Sequence, residues 1–145
     1  YRQSTAFLKT YGFEMRFKTN IYDFLSTNLN YTKTHGKESD GDSITLVPEN
    51  KVMYSLNFKP TEKININTYF LFQNKSIDTK YNQLPNYQTL NMNASYLLMK
   101  NLNAHIKLEN LLDRNNIVNR GGGTSENLGY QSPSRSIYFG LKLEN

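Results

Sequence analysis

The chain has 145 residues, enough for one ordinary domain, with 37% hydrophobic and 13% aromatic residues, no cysteine and a net charge of +5. The lack of cysteine excludes disulfides, zinc-thiolate sites and thiol nucleophiles, and no run of about 18 apolar residues offers a transmembrane helix. The positive charge comes from scattered Lys and Arg without a basic block, which reads as a solvated mixed-charge surface and gives no footprint for nucleic acid.

Strict alternation of apolar and polar residues is the dominant signal along the chain. Phe13, Met15 and Phe17 alternate with Glu14, Arg16 and Lys18. After a short break at 19–23, Leu25, Thr27, Leu29 and Tyr31 alternate with Ser26, Asn28, Asn30 and Thr32. A long polar stretch, 33–51, leads to Val52, Tyr54, Leu56 and Phe58 alternating with Met53, Ser55, Asn57 and Lys59. Beyond a short break at 60–63, Ile64, Ile66, Thr68, Phe70 and Phe72 alternate with Asn65, Asn67, Tyr69, Leu71 and Gln73. The long segment 74–87 precedes Leu90, Met92, Ala94, Tyr96 and Leu98, which are separated by Asn91, Asn93, Ser95 and Leu97. A short break at 100–103 gives way to Ala104, Ile106 and Leu108 between His105, Lys107 and Glu109. After the long stretch 113–135, Ile137, Phe139, Leu141 and Leu143 alternate with Ser136, Tyr138, Gly140 and Lys142.

Side chains on a strand point to opposite faces in turn, so each segment has one apolar and one mostly polar face. The fold class is therefore all-β. Long and short connections strictly take turns, as they do in an antiparallel up-and-down barrel with hairpin turns at one rim and long loops at the other. A Greek-key sandwich scrambles that order. Several segments reach about the 9–11 residues that a tilted strand needs to cross hydrocarbon, against about 5–6 for a typical soluble strand. The expectation is a transmembrane β-barrel with its apolar set facing lipid. Glu14, Arg16, Lys18, Asn28, Asn30, Asn57, Lys59, Asn65, Asn67, Gln73, Asn91, Asn93, His105, Lys107 and Glu109 would then line the interior. Such a set costs too much to bury in a packed core, where each unpaired polar group loses several kcal/mol; a water-filled or plugged lumen removes the difficulty. Tyr31, Phe72 and Tyr96 fall where an aromatic girdle belongs. The competing reading is a soluble antiparallel sheet with one wet face, used as a binding or adhesion module.

Single-chain bacterial barrels have an even number of strands, from about eight upward. Seven leave two unpaired edges, which lipid does not tolerate. The segment is thus expected to belong to a larger barrel. An eight-stranded barrel that borrows residues 1–8 is the alternative. Tyr1 to Thr5 carry no signal-peptide pattern, which fits a cytoplasmic protein or a fragment whose N-terminus lies elsewhere.

No constellation carries catalysis. Asp40, Gly41 and Asp42 resemble half a calcium loop, but position twelve counted from Asp40 is Lys51, not Glu. Gly121 to Gly123 beside Arg120 lack the Gly-Lys-Ser/Thr ending of a phosphate loop. His35 and His105 stand on different segments, so no metal site is expected. Glu14 and Glu109 are better read as partners of Arg16 and Lys107 than as a hydrolytic pair.

At the end of the chain a resemblance becomes specific. Asn110-Leu111-Leu112-Asp113-Arg114, then Gly129-Tyr130-Gln131-Ser132-Pro133-Ser134-Arg135 and Ile137-Tyr138-Phe139-Gly140-Leu141, resemble the closing signature of TonB-dependent receptors. Upstream, Ala6 to Glu14 with Tyr11-Gly12-Phe13-Glu14, Leu29-Asn30-Tyr31-Thr32 and Val47-Pro48 resemble further strands of that family in the same order. Ser134 departs from the family's usual Gly, and Asn145 stands where a terminal aromatic is expected.

The resemblance implies that residues 1–145 are the last seven or so strands of a barrel of about 22 strands with a plugged lumen. The plug itself is absent from this sequence. The family's setting is the outer membrane of Gram-negative cells, and its partners are lipid, the TonB complex (through a missing N-terminal part) and a ferric siderophore or similar metal chelate. The Gly-Tyr-Gln ending is equally similar to cobalamin receptors. No cofactor is implied. The outer loops would contact the ligand, and Tyr81, Arg114, Arg120 and Tyr130 are the candidate contacts, because cationic and aromatic groups suit anionic chelates.

Overall fold

Alternation becomes strand pairing along the described residues. The computed structural model describes residues 7–38, 44–79, 81–120 and 129–144. Among these, strands β1 (Lys9–Tyr22), β2 (Leu25–Lys37), β3 (Asn50–Thr61), β4 (Ile64–Asn74), β5 (Tyr87–Met99) and β6 (Leu102–Glu109) follow one another. Two short strands, β7 (Ile117–Asn119) and β8 (Tyr130–Gln131), precede β9 (Ser136–Leu143). Seven strands form one sheet in the order β1-β2-β3-β4-β5-β6-β9, every pair antiparallel. β1 and β9 do not pair with each other, so the sheet is open. The expected up-and-down arrangement is present; Ala6, the Asp40–Asp42 tip, Gly121 to Gly123 and Asn145 lie outside the described residues.

The boundaries differ from the sequence reading in ways the backbone explains. β2 continues past Tyr31 to Lys37, because Thr34 to Lys37 still pair with Lys9 to Gly12 although apolar alternation has ended. The short breaks shrink to Asp23-Phe24, Glu62-Lys63 and Lys100-Asn101. Each adjoins a register irregularity, at Asn20/Tyr22, Phe58/Thr61 and Leu97/Met99. Pro60 therefore lies inside β3, at a bulge where its missing N–H disturbs no regular pairing. The β7–β8 ribbon within 113–135 was not expected.

Cross-strand register keeps the two faces separate over the whole sheet. One row runs Phe17, Leu29, Tyr54, Phe70, Leu90, and another runs Leu25, Phe58, Ile66, Ala94, Ile106, Phe139. Tyr31, Val52 and Phe72 share a row toward the long loops, while Tyr96 lies at the opposite rim beside Ile64. At that rim Tyr22 stacks on Phe24 at 5.3 Å, and Phe24 meets Phe58 edge-on at 5.9 Å. From Ile64 to Phe72 the outward face spans about 26 Å along the strand at about 3.3 Å per residue, close to the height of a bilayer-facing band.

The polar face holds the rows Lys18, Asn28, Ser55, Tyr69, Asn91 and Ser26, Asn57, Asn67, Asn93, Lys107, Tyr138. Its amides bond one another, with Asn57 Nδ2 donating to Asn65 Oδ1 at 2.7 Å. Glu14 and Glu109 stand on β1 and β6; the first pairs with Arg16 at 3.4 Å and the second with Lys107 at 2.5 Å. His105 lies over Gly140, where any Cβ would collide with its ring.

Burial falls on neither face in the manner of a soluble domain. Leu84, 6% exposed, is the one buried apolar residue among those described. Phe139 and Leu141 on the outward face are 80% and 70% exposed. Leaving such side chains in water forgoes about 1.5–3 kcal/mol each, so the outward face needs an apolar surrounding.

Candidate functional site

The three long connections lie at one rim. Two of them, 38–49 and 75–86, are strapped together. The Leu46 amide donates to the Ile77 carbonyl at 2.7 Å, and the Glu49 carboxylate meets Lys75 Nζ at 3.2 Å and His35 Nε2 at 3.7 Å. Within 75–86, Ile77 pairs with Gln83 and the chain turns around Asp78, which is fully buried. The Asp78 carboxylate accepts the Asn82 amide N–H at 2.9 Å and its side-chain amide at 3.2 Å. A cleft of about 320 Å³ lies between the two connections, bordered by His35, Ile44, Val47, Lys75 and Gln83.

The third connection is held at both ends by residues of the closing motif. Asn110 is 5% exposed with φ 50°, and its amide donates to the carbonyls of Arg114 and Pro133, each at 3.0 Å. Its Oδ1 accepts the Arg114 amide at 3.2 Å. Asp113 Oδ1 accepts the Arg135 amide at 3.1 Å. Asn116, also buried, imitates a strand neighbour: its side chain accepts from Gln88 N at 3.0 Å and donates to Gln88 O at 2.8 Å. Asn110 and Asn116 thus clamp the start of the loop to Pro133, ahead of β9, and to Gln88 of β5. Above them β7 and β8 pair, with Asn119 opposite Tyr130.

All the described non-glycine residues with positive φ, Leu46, Lys75, Tyr81, Asn110 and Asp113, belong to these three connections. Asn and Asp tolerate that region, but Leu, Lys and Tyr are strained there. Strain of this kind persists only where surrounding contacts fix it, and it concentrates at ligand-handling segments.

The four sequence candidates fall into two groups. Arg120 follows β7 and Tyr130 opens β8 opposite Asn119, so both belong to the ribbon; Tyr130 is 71% exposed. Arg120 Nε is shielded from solvent and has no hydrogen-bond partner among the described residues. Arg114 is exposed at the base of the same loop, oriented by Asn110. Tyr81 stands apart: its left-handed backbone turns the hydroxyl toward Glu38, to which it donates at 3.2 Å. Asn110 and Asp113 stand out in the sequence only as motif residues, and Asn116 and Asp78 carry no motif. Asn and Asp in long connections, where turn residues with positive φ gather, were the signal available.

On the polar face, directly below this rim, Tyr69, Tyr87, Thr89, Asn91, Glu109 and Ser132 border a depression of about 270 Å³. Three loops meet beside it at Leu46, Leu84, Pro85 and Ile117 around a space of about 220 Å³. Among the described residues no three His, Asp or Glu side chains come together as a metal cage. The rim offers hydrogen-bond donors, cations and aromatic faces, which is equipment for binding.

Several solved structures share this fold. The ferric yersiniabactin uptake receptor FyuA from Yersinia pestis superposes with a TM-score of 0.81 at 16% identity, over 94% of this chain and 23% of its own. The copper transporter OprC gives 0.78 at 15% identity, over 94% and 24%. The ferripyoverdine receptor of the outer membrane of Pseudomonas aeruginosa gives 0.74 at 17% identity, over 94% and 19%. No family model matches the sequence, and no curated protein matches it significantly. The chain therefore shares the fold of part of these proteins and spans about a quarter or less of their length.

Proposed function

We propose that residues 1–145 are the C-terminal barrel part of a TonB-dependent outer-membrane receptor, and that the whole protein imports a scarce nutrient across that membrane. The observation that carries this reading is the division of faces. Seven strands, paired in register between the bulges at their short turns, present Phe, Leu and Ile outward and Asn, Lys and Glu inward. In water such an outward face drives aggregation; in hydrocarbon it is the surface the bilayer requires, and the polar face then lines a lumen. Tyr and Phe at both rims suit the headgroup levels.

The short turns then face the periplasm and the three long connections face outside. The ligand is a ferric siderophore or a similar metal chelate, with cobalamin as the alternative. Arg114, Arg120 and Tyr130 on the last loop offer cationic and aromatic contacts to an anionic complex, and Tyr81 on the strapped pair of loops meets it from another side. The plug and the segment that engages the TonB complex belong to residues outside this chain. The role is transport, and no catalytic group or cofactor is needed for it.

The test begins with the native protein in fractionated cells. A surface-exposed band several times heavier than this segment, in the outer membrane and with heat-modifiable mobility, is expected. A strain lacking the gene should then fail to grow on one ferric chelate, or on cobalamin, as the limiting source. A detergent-free soluble protein of about this segment's own mass would leave a small β-sheet binding domain and end the receptor reading.

A further inference from the structure

We propose that the outward face of β1 and β2 carries, at the long-loop rim, a binding surface for a phosphorylated glycolipid of the outer leaflet, the lipid A part of lipopolysaccharide. Register places three ammonium groups there. Lys9 stands directly opposite Lys37, and Lys33 stands opposite Phe13. All three share the strand parity of Tyr11, Phe13 and Tyr31. Ring contacts confirm that common face, with Tyr11 stacked on His35 at 5.4 Å and Phe13 edge-on to Tyr31 at 5.6 Å. Like charges directly opposite on one face of an antiparallel pair repel and destabilise it. No ion pair relieves Lys9, Lys33 or Lys37 among the described residues. The described acids of this region are engaged elsewhere. Glu38 accepts from the Tyr81 hydroxyl at 3.2 Å, Glu14 meets Arg16 at 3.4 Å on the polar face, and Glu49 holds Lys75 at 3.2 Å and His35 at 3.7 Å.

The same face turns apolar further along these strands. Met15 and Phe17 follow Phe13 on β1, all exposed, and Leu29 lies opposite Phe17. Cations first, then aromatic rings, then apolar side chains is the order that an anionic headgroup above acyl chains requires. The spread of charge chooses among such lipids. Lys33 and Lys37 are four residues apart on one strand, a span of about 13 Å at about 3.3 Å per residue. A single phosphodiester answers one end of that span. A disaccharide with a phosphate at each end answers both. With the long loops outside, this rim meets the outer leaflet, where lipopolysaccharide lies.

This inference rests on the membrane reading above. The test uses the full-length protein purified from membranes in mild detergent, with native mass spectrometry in the presence of bis-phosphorylated lipid A, the same lipid A with both phosphates removed, or phosphatidylglycerol. Bis-phosphorylated lipid A should be retained in preference to the other two. Each of Lys9→Gln, Lys33→Gln and Lys37→Gln should lower its retention about five-fold, and the three together about a hundred-fold, the factors that correspond to roughly 1 kcal/mol per cation at an anionic surface. Lys18→Gln, on the polar face opposite Asn28, should change nothing. Heat-modifiable folding should survive in every variant, since the substitutions relieve repulsion and break no ion pair. Equal retention of the phosphorylated and dephosphorylated lipids overturns the proposal, as does stronger retention of phosphatidylglycerol or undiminished retention by the triple variant. A protein that never enters the membrane fraction fails the receptor reading instead, so the two failures are separate results.

Discussion

Asn110→Ala isolates the clamp that closes the last loop. The substitution removes three side-chain hydrogen bonds, to Arg114 O and Pro133 O at 3.0 Å each and from Arg114 N at 3.2 Å. Each is worth about 0.5–1.5 kcal/mol net, and more where a buried partner is left unsatisfied. Alanine also pays about 1 kcal/mol to hold the left-handed backbone that Asn110 adopts at φ 50°. The sum is about 3–4 kcal/mol, confined to the loop, because β6 and β9 keep their eight paired positions from Leu102↔Leu143 to Glu109↔Ser136. Amide hydrogen exchange on the full-length protein reads this directly. The amides of Arg114 and Arg135 should exchange about 100- to 1,000-fold faster, since about 1.4 kcal/mol corresponds to a tenfold change in the opening equilibrium. Those of Ile106 and Leu108 should not change. Asn110→Gly removes the same hydrogen bonds without the backbone penalty and should recover about 1 kcal/mol, or about five-fold in rate. If Asn110→Ala leaves the Arg114 and Arg135 amides as protected as before, the clamp does not hold the loop and the reasoning is refuted.

Phe139→Lys places a charge on the outward face and should lose about 2–4 kcal/mol, depending on its depth in the bilayer, seen as a fall in heat-modifiable folded protein; Asn93→Lys on the lumen face should fold normally. Asp78→Ala removes the acceptor of two Asn82 donors at a fully buried position. It should expose 75–86 to limited proteolysis at an opening free energy lower by about 2 kcal/mol, with the β4–β5 pairing intact. Arg120→Ala and Tyr130→Ala should each weaken chelate binding by about ten-fold at unchanged surface abundance, measured by radiolabelled uptake and binding on whole cells; no change in either would remove the β7–β8 ribbon from the binding rim.

The seven long strands were legible because a period of two is imposed by the backbone whatever covers the two faces, and every segment from Phe13 to Leu143 keeps it. Their ends were not, since pairing beyond Tyr31 is carried by Thr34, His35 and Gly36, which have no apolar rhythm. The turns adjoin bulges at Asn20/Tyr22, Phe58/Thr61 and Leu97/Met99, and composition does not announce such backbone irregularities. β7 and β8, of three and two residues, are too short to carry any periodic signal. At the rim, residue chemistry drew attention to Arg120 and Tyr130, which flank the short ribbon, and to Tyr81, which a left-handed backbone turns toward Glu38. The roles of Asn110, Asp113 and Asn116 could not be read in sequence. Their partners, Pro133, Arg135 and Gln88, lie far along the chain and come near only once β5, β6 and β9 have paired.

Every long strand pairs with its neighbour in sequence, and five of the six pairings in the large sheet join strands directly consecutive in the chain. That order has a kinetic meaning. The hairpins closed by Asp23-Phe24, Glu62-Lys63 and Lys100-Asn101 bring their strands together at little entropic cost. The β6–β9 pair must close residues 110–135, which by loop-closure scaling adds about 2 kcal/mol to its initiation relative to a two-residue turn. Assembly should therefore run hairpin by hairpin and finish at β9, with the Asn110 clamp and the β7–β8 ribbon shortening the last search by folding the connection back on itself. Barriers set by such distances respond to chain length more than to contact strength. Lengthening 111–134 should slow the final step, whereas adding residues at 75–86 should leave it nearly untouched.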